Sequence, residues 1–355
     1  MEKKTKNKVL ITTFNRVHNC GACLQAYALQ RTLETKFGVD VEHLDLLDET
    51  DAEKKYVFNI QTFIKTLVNW RENTAFSLFQ NQYIKYTEKK YKKADLEKLN
   101  NRYEYFVAGS DQIWNCKNGV NPVFFLEFVK DRKKISYAAS MGETEVPVKY
   151  IDQFIKDIAQ FECVSVRESS LAKYIGQLME IKPVQVLDPV FLIEKEDWEK
   201  IMIFPPKKKF ILFFGFSLDG TAIRKVKELK KITGLPIWSV YKIPGFKVDR
   251  VLHRSMGPRE FLGYVHEAEY IVTSSFHCAA FSLLFEKKVL VFHHETTGSR
   301  TRELINLFEC ESMDTVEDIE QWVKSDLFGI KKQKMESMKK QSLMYLENVF
   351  SERSV

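Results

Sequence analysis

The segment 270–292 limits the architecture of this chain more than any other. It reads Tyr-Ile-Val-Thr-Ser-Ser-Phe-His-Cys-Ala-Ala-Phe-Ser-Leu-Leu-Phe-Glu-Lys-Lys-Val-Leu-Val-Phe. Residues 270–273 and 289–292 are apolar runs of strand length, and the stretch between them suits one helix. Strands that are apolar throughout belong in a parallel sheet covered on both faces. Ser274 and Ser275 stand where the first strand hands over to the helix, and a hydroxyl there can cap its unpaired N–H groups. His277 then falls in the first turn, at the carboxyl edge of the sheet. Open α/β sheets bind ligands at that edge, and a helix N-terminus offers backbone donors to an anion. An imidazole beside an anion site suits proton transfer near neutral pH. A capped, packed histidine without chemistry is the competing reading of the same pattern.

A chain of 355 residues exceeds one ordinary core, so two domains are expected. Hydrophobic residues at 45% and charged residues at 29% are usual for a globular protein. Lys and Arg number 54 against 48 Asp and Glu, a formal charge of +6 spread along the whole chain. That diffuse excess favours anionic small molecules or a peripheral membrane-surface contact, and it argues against nucleic acid. No run reaches the roughly 18 apolar residues needed to cross a bilayer, and the apolar segment 9–13 is too short for a signal peptide. A cytoplasmic location follows, with the 6 Cys expected as free thiols.

Taken in order, residues 8–13 form a strand, 14–21 a polar loop, 22–33 a helix and 39–47 a second strand, which together make one βαβ unit. Asn19 and Gly21 lie at its strand-to-helix turn, where backbone can approach a ligand. One glycine is not a dinucleotide fingerprint, so no nicotinamide cofactor is expected. Cys20 and Cys23 could form a redox pair or half a zinc site, but nothing at ligand spacing completes it, and incidental proximity is the simpler reading. Residues 56–101 are helical in pattern and carry the basic run 89–93, read as a solvated helix face, with contact to anionic lipid phosphates as the alternative.

The strand at 105–108 leads into Gly109-Ser110-Asp111-Gln112-Ile113-Trp114-Asn115. Carboxylate and amide groups grip hydroxyls and an indole face covers a sugar ring, so Asp111, Gln112, Trp114 and Asn115 suit a carbohydrate. An Asx-type turn with Trp114 in the core is the rival reading. Strands at 134–139, 163–166 and 184–187 and helices at 148–160 and 170–177 complete the first domain. Arg167 stands just past a strand, where its fork could clamp a carboxylate or phosphate, or form a structural ion pair. A charged linker at 194–208 carries Pro205 and Pro206. Beyond it come a buried strand within 210–216, a helix at 220–233, a strand at 236–240 and a helix at 259–268. Arg300 and Arg302 precede a further helix, and an amphipathic helix at 331–350 ends the chain with Met335, Met338, Leu343, Leu346 and Val349 available for burial.

These landmarks in this order give a specific resemblance to the polysaccharide pyruvyl transferase family, from near Val9 to about Glu309. They are Asn19-Cys20-Gly21-Ala22-Cys23-Leu24-Gln25, Gly109 to Asn115, Ser136-Tyr137-Ala138-Ala139-Ser140-Met141-Gly142, Ser165-Val166-Arg167-Glu168, Leu187-Asp188-Pro189, Gly257-Pro258-Arg259-Glu260-Phe261-Leu262 and Ser275-Phe276-His277. Ser274 stands where that pattern commonly has Asp. Cys278 stands where a Gly usually follows the His, and so puts a side chain where backbone would otherwise approach a donor.

The resemblance implies an α/β fold with two Rossmann-like domains facing across a cleft, glycosyltransferase-B-like, with a C-terminal crossover helix. The boundaries expected are 1–200 for an acceptor-side domain, 205–330 for a donor-side domain and 331–355 for the helix returning to the first. It further implies phosphoenolpyruvate as co-substrate, no cofactor or metal, and a sugar of a cell-surface polysaccharide, free or lipid-linked, as acceptor. The product would be a pyruvate ketal. On this resemblance His277 is the general acid; Arg167, Ser275, Arg300, Gly21 and Asn19 hold the donor; Asp111, Gln112, Trp114 and Asn115 face the acceptor. Arg302 and Arg254 are alternatives to Arg300. A nucleotide-sugar glycosyltransferase of the same architecture and a non-catalytic polysaccharide-assembly protein are the rival functions.

Overall fold

The computed structural model describes residues 7–47, 69–215, 220–243, 245–252, 256–292, 299–310, 312–313, 315–325 and 329–351. The chain divides into two compact units. Unit 1 holds Met1–Ile64, Leu78–Ile193 and Met338–Val355, and unit 2 holds Lys65–Ser77 and Glu194–Ser337.

Unit 1 is built on four parallel strands in the order β2-β1-β3-β4, where β1 is Lys8–Thr12, β2 Asp40–His43, β3 Tyr105–Ala108 and β4 Lys133–Ser136. Strand side chains alternate between faces, and here each face has its own apolar layer. Leu10, Phe106 and Ala108 enter one cluster with Trp114, Phe125 and Phe154. Val9, Ile11, Tyr105 and Val107 enter the other with Leu29 and Leu33. Those two leucines belong to α1 (Cys20–Lys36), which Asn19 caps by accepting from the Ala22 N–H at 3.1 Å.

The strand expected at 134–139 stops early, because Ala138 turns left-handed at φ 48° and breaks the alternation. The parallel pair β5 (Ser165–Val166) and β6 (Val184–Gln185) is joined to β4 by bridges from Ile135 to Cys163 and from Ala139 to Val166. The other helices of this part of the chain are α2 (Trp70–Tyr83), which runs from unit 2 into unit 1, α3 (Ile151–Ile158) and α4 (Ser169–Leu178).

The basic run is not a helix face. Tyr91 is buried and its backbone is used in a parallel bridge to Leu46, with Tyr91 N donating to Asp45 O and Leu47 N to Tyr91 O, both at 2.8 Å. A 3-10 helix starts only at Lys93, leaving Lys89, Lys90, Lys92 and Lys93 exposed around that anchor. The part of the expected 56–101 helical stretch before residue 69 lies outside the described residues.

Unit 2 is a five-stranded parallel sheet in the order β11-β10-β7-β8-β9. Its strands are β7 Ile211–Phe214, β8 Ile237–Ser239, β9 Arg250–Val251, β10 Tyr270–Thr273 and β11 Lys288–Val291. They are crossed by α6 (Gly220–Thr233), α7 (Pro258–Glu267) and α8 (Phe276–Leu284), and followed by α9 (Ser299–Leu307) and α10 (Ile319–Lys324). The segment expected as a linker at 194–208 belongs to this unit and is pinned to it. It opens with α5 (Lys195–Glu199), whose buried Trp198 meets Phe281 edge-on at 5.0 Å. Arg259 Nε donates to Ile201 O at 2.7 Å, and Ile203 N donates to Arg259 O at 3.1 Å. The approach is so close that a Cβ on Gly263 would overlap the Ile203 carbonyl oxygen.

The chain ends in α11 (Gly329–Ser351). From Met338 onward it belongs to unit 1, where Tyr345, Leu346, Val349 and Phe350 pack with the β1–β3 layer and Tyr345 Oη donates to Ser136 O at 2.8 Å.

Each sheet has one place where the order of strands reverses: β1 with β3 in unit 1, and β7 with β10 in unit 2. Ligands of open α/β sheets bind outside the carboxyl ends of such strand pairs.

Candidate functional site

In unit 2 the reversal is closed by a short polar lattice. Thr273 Oγ1 donates to Phe214 O at 2.7 Å and accepts from Ser275 N at 2.9 Å, so the ends of β7 and β10 are tied together. Gly215 follows β7; a Cβ there would stand 2.6 Å from the Phe292 ring and 3.0 Å from Ser274 Oγ, so a larger residue would have to displace these side chains. Ser275 is the N-cap of α8, its Oγ accepting from Cys278 N at 3.4 Å. His277 lies in the first turn that this cap starts, 7% exposed, with the Phe276 ring edge-on at 5.3 Å.

Arg300 is half-buried in the first turn of α9, a helix that packs on α8. Arg302 is exposed on the same helix, and Arg254 lies outside the described residues. The Cys278 side chain is fully buried core packing, and burial pushes its thiol up to about 12.

In unit 1 the reversal between β1 and β3 is filled by its own residues. Thr13 Oγ1 donates to Ser110 O at 2.8 Å. Gln25, from α1, donates to Thr13 Oγ1 at 3.0 Å and accepts from Ser110 N at 3.2 Å. Gly21 is buried in the first turn of α1, and the side chain of Asn19 is committed to the cap. Neither the Cys20 nor the Cys23 side chain is bonded to another sulfur, and burial raises the Cys23 thiol to about 11, which removes the thiolate a redox pair would use.

Asp111 sits at φ 70° and 8% exposure, with Oδ1 accepting from Gln112 N at 2.9 Å. Gln112 lies over Gly142, where a Cβ would collide with its amide, so these two sequence landmarks meet in space.

Two expectations fail here for stated reasons. Trp114 cannot serve as a sugar platform: it is 0% exposed, stacked on Phe125 at 5.7 Å, edge-on to Phe154 and Phe161, with Nε1 donating to Phe124 O. Asn115 turns back on its own backbone, Oδ1 accepting from Lys117 N at 3.0 Å, which is the Asx-type turn.

Arg167 is not set out as an anion clamp either. It is 5% exposed, with Nε donating to Glu168 Oε1 at 2.8 Å and Nη1 to Asp188 Oδ2 at 2.9 Å. Burial works against its charge, but the Glu168, Asp188 and Asp111 carboxylates outweigh that and hold the guanidinium above its ordinary value. Three carboxylates around one guanidinium are a poor host for a phosphate. Asp188 also accepts from Ser110 Oγ at 3.3 Å and from Val190 N at 3.2 Å, so the ion pair ties three strand ends together.

The proposed residues thus fall into two groups. His277, Ser275 and Arg300 share the carboxyl edge of unit 2. Asn19, Gly21, Asp111, Gln112 and Arg167 share that of unit 1, while Trp114 is buried in the core and Asn115 closes an Asx-type turn. Sequence reasoning passed over Thr13, Ser110, Gln25 and Arg16, all at that edge. Among the described residues no group of three or more His, Cys, Asp or Glu could hold a metal ion, and no helix is long and apolar enough to cross a membrane.

The fold is shared with solved enzymes of low sequence identity. A protein of Listeria monocytogenes assigned as a UDP-N-acetylglucosamine 2-epimerase superposes with a TM-score of 0.53 at 10% identity, covering 98% of each chain. The UDP-GlcNAc 2-epimerase of Methanocaldococcus jannaschii gives 0.51 at 10% identity over 95% of this chain and 99% of its own. Two parallel α/β units of this kind define the glycosyltransferase-B-like class. No protein of curated function matches the chain in sequence. A family profile described as polysaccharide pyruvyl transferase matches residues 19–296, a span that begins after β1 and holds every sequence landmark named above and the strand reversal of unit 2. By that match the chain belongs to the polysaccharide pyruvyl transferase family.

Proposed function

We propose that this protein moves the enolpyruvyl group of phosphoenolpyruvate onto a sugar of a cell-surface polysaccharide or its lipid-linked precursor, closing a pyruvate ketal, with His277 as the proton donor. The family supports a transferase acting on polysaccharide. The observation that carries the finer reading is the position of His277 in the first turn after the Ser275 cap, outside the β7 and β10 strand ends. There an imidazole stands beside helix N–H donors and on a helix packed against the one that carries Arg300.

The chemistry needs few parts. A proton from His277 to the methylene carbon turns the enol phosphate into a cationic centre, which a sugar hydroxyl attacks with loss of its own proton. A second hydroxyl then forms the second C–O bond as the C–O bond to phosphate breaks. Of the two hydroxyl protons lost, one replaces that given by the imidazole and the other leaves on hydrogen phosphate, so the equation balances without a redox partner. The N-terminus of α8 and Arg300 would offset the phosphate and carboxylate charge.

The test combines protein, phosphoenolpyruvate and surface polysaccharide stripped of its ketals by mild acid. Phosphate release and a new ketal methyl resonance are expected from the wild type, and loss of at least a hundredfold in rate from His277→Ala with its unfolding curve unchanged. Ketal formation by His277→Ala at the wild-type rate would remove the histidine from the reaction. Calorimetric binding of a nucleoside diphosphate without binding of phosphoenolpyruvate would replace the reading with a nucleotide-sugar transferase.

A further inference from the structure

Arg16 stands in the loop between β1 and α1, at the same sheet edge as Thr13 and Asn19, and no function given above uses it. Its guanidinium is fixed on three sides. Nε and Nη2 donate to the two oxygens of Asp45 at 3.3 and 2.7 Å, Nη1 donates to Asn81 Oδ1 at 3.3 Å, and Cζ lies 3.6 Å above the centre of the Tyr86 ring. Asp45 is two residues beyond β2, its side chain 8% exposed, and Tyr86 Oη donates to Asn15 O at 3.1 Å, so these two supports are themselves held.

The Arg16 side chain is nonetheless 35% exposed. An arginine has five N–H bonds, and three are used among the described residues, which leaves one on Nη1 and one on Nη2. A long cationic side chain at a surface ordinarily keeps its rotamer freedom. This one is held still with two N–H bonds left over.

The charge decides the ligand. Asp45 already neutralises the guanidinium, and its carboxylate would repel a phosphate or carboxylate arriving at the same fork. What the pair retains is donor geometry without net charge, which suits the oxygens of neutral hydroxyl groups. We propose that Arg16, buttressed by Asp45, Tyr86 and Asn81, binds two hydroxyl oxygens of the sugar acceptor. It would thus take an acceptor-facing role that the buried Trp114 cannot fill. This rests on the pyruvyl-transfer reading for the identity of the sugar, but not for the binding itself.

Arg16→Lys keeps a cation opposite Asp45 and removes the fork; Arg16→Met keeps the stem over Tyr86 and removes the charge as well. With the acid-stripped polysaccharide as acceptor, KM for that acceptor is expected to rise about tenfold or more in both variants, the scale of losing charge-assisted hydrogen bonds. KM for phosphoenolpyruvate is expected to stay within about twofold, since the fork is not offered to the donor. A folded Arg16→Lys protein with unchanged acceptor KM overturns the proposal, as does a fall in kcat with both KM values unchanged, which would make Arg16 a loop pin. Saturation-transfer NMR on the same stripped polysaccharide, with no phosphoenolpyruvate present, decides the matter independently of turnover. Weaker transfer to the glycan from Arg16→Lys than from wild type supports the subsite even if the wild type forms no ketal. Equal transfer removes it.

Discussion

Arg167 and Asp188 form an ion pair of 2.9 Å inside unit 1, with side-chain exposures of 3% and 0%. They lie 21 positions apart, on segments that meet only because β5 and β6 pair in parallel. A buried pair gains little over a well-packed apolar substitute, but removing one partner strands the other charge. Arg167→Met is therefore expected to cost about 3–5 kcal/mol of unfolding free energy in urea titrations. The double change with Asp188→Asn should recover a substantial part of that loss. A single variant as stable as wild type would return Arg167 to the role of a ligand clamp.

Trp114 yields a second expectation. Its indole fills the layer between Phe125, Phe154 and Phe161 and is fully buried. Truncating a buried aromatic of this size costs about 3–5 kcal/mol. Trp114→Ala should lose that much stability in denaturant unfolding. Trp114→Phe should lose far less and leave acceptor KM unaltered, whereas a sugar platform would show the opposite pattern.

Gly263 tests the contact that fixes 200–204 to α7. A methyl group at this position would overlap the Ile203 carbonyl, and backbone cannot yield as a side-chain tip can. Helix propensity alone favours alanine over glycine by about 1 kcal/mol. Gly263→Ala should nevertheless destabilise unit 2 by about 1–3 kcal/mol, the cost of overpacking, as measured by its thermal transition. A rise in the transition temperature would show that the segment is loosely held.

The sheets were legible because their strands are apolar on both faces, which leaves one class of architecture. The helix expected at 220–233 is Gly220–Thr233 as found, since its apolar spacing ends at a glycine. The cap at Ser275 was legible for the same local reason, and with it the position of His277. What the sequence could not reveal depends on side-chain direction and distant pairing. Trp114 suits a core and a sugar equally, and only the burial of its flanking turn decides. Arg167 needed Asp188, brought beside it by a strand pair of two residues each. Arg16 was overlooked because its partners, Asp45, Asn81 and Tyr86, come from three other segments. The two-residue strand β9 has no periodicity to read.

His43 supplies a dependence on pH. Its ring is 0% exposed at the end of β2, beside Tyr86 at 6.5 Å, and burial lowers its pKa from 6.5 to about 3. The folded protein thus keeps this imidazole neutral while the unfolded chain takes up a proton below about pH 6.5. Stability from this group is whole above that pH and is lost as pH falls through the window from about 6.5 toward 3, since the unfolded state binds more protons there. The slope cannot exceed about 1.4 kcal/mol per pH unit for one proton. Urea midpoints measured at pH 7.5, 6.5, 5.5 and 5.0 (about half-unit to one-unit steps across the window) should fall in wild type and fall less in His43→Leu, which cannot titrate. Parallel curves for the two proteins would mean that the imidazole is charged or solvated in the folded state.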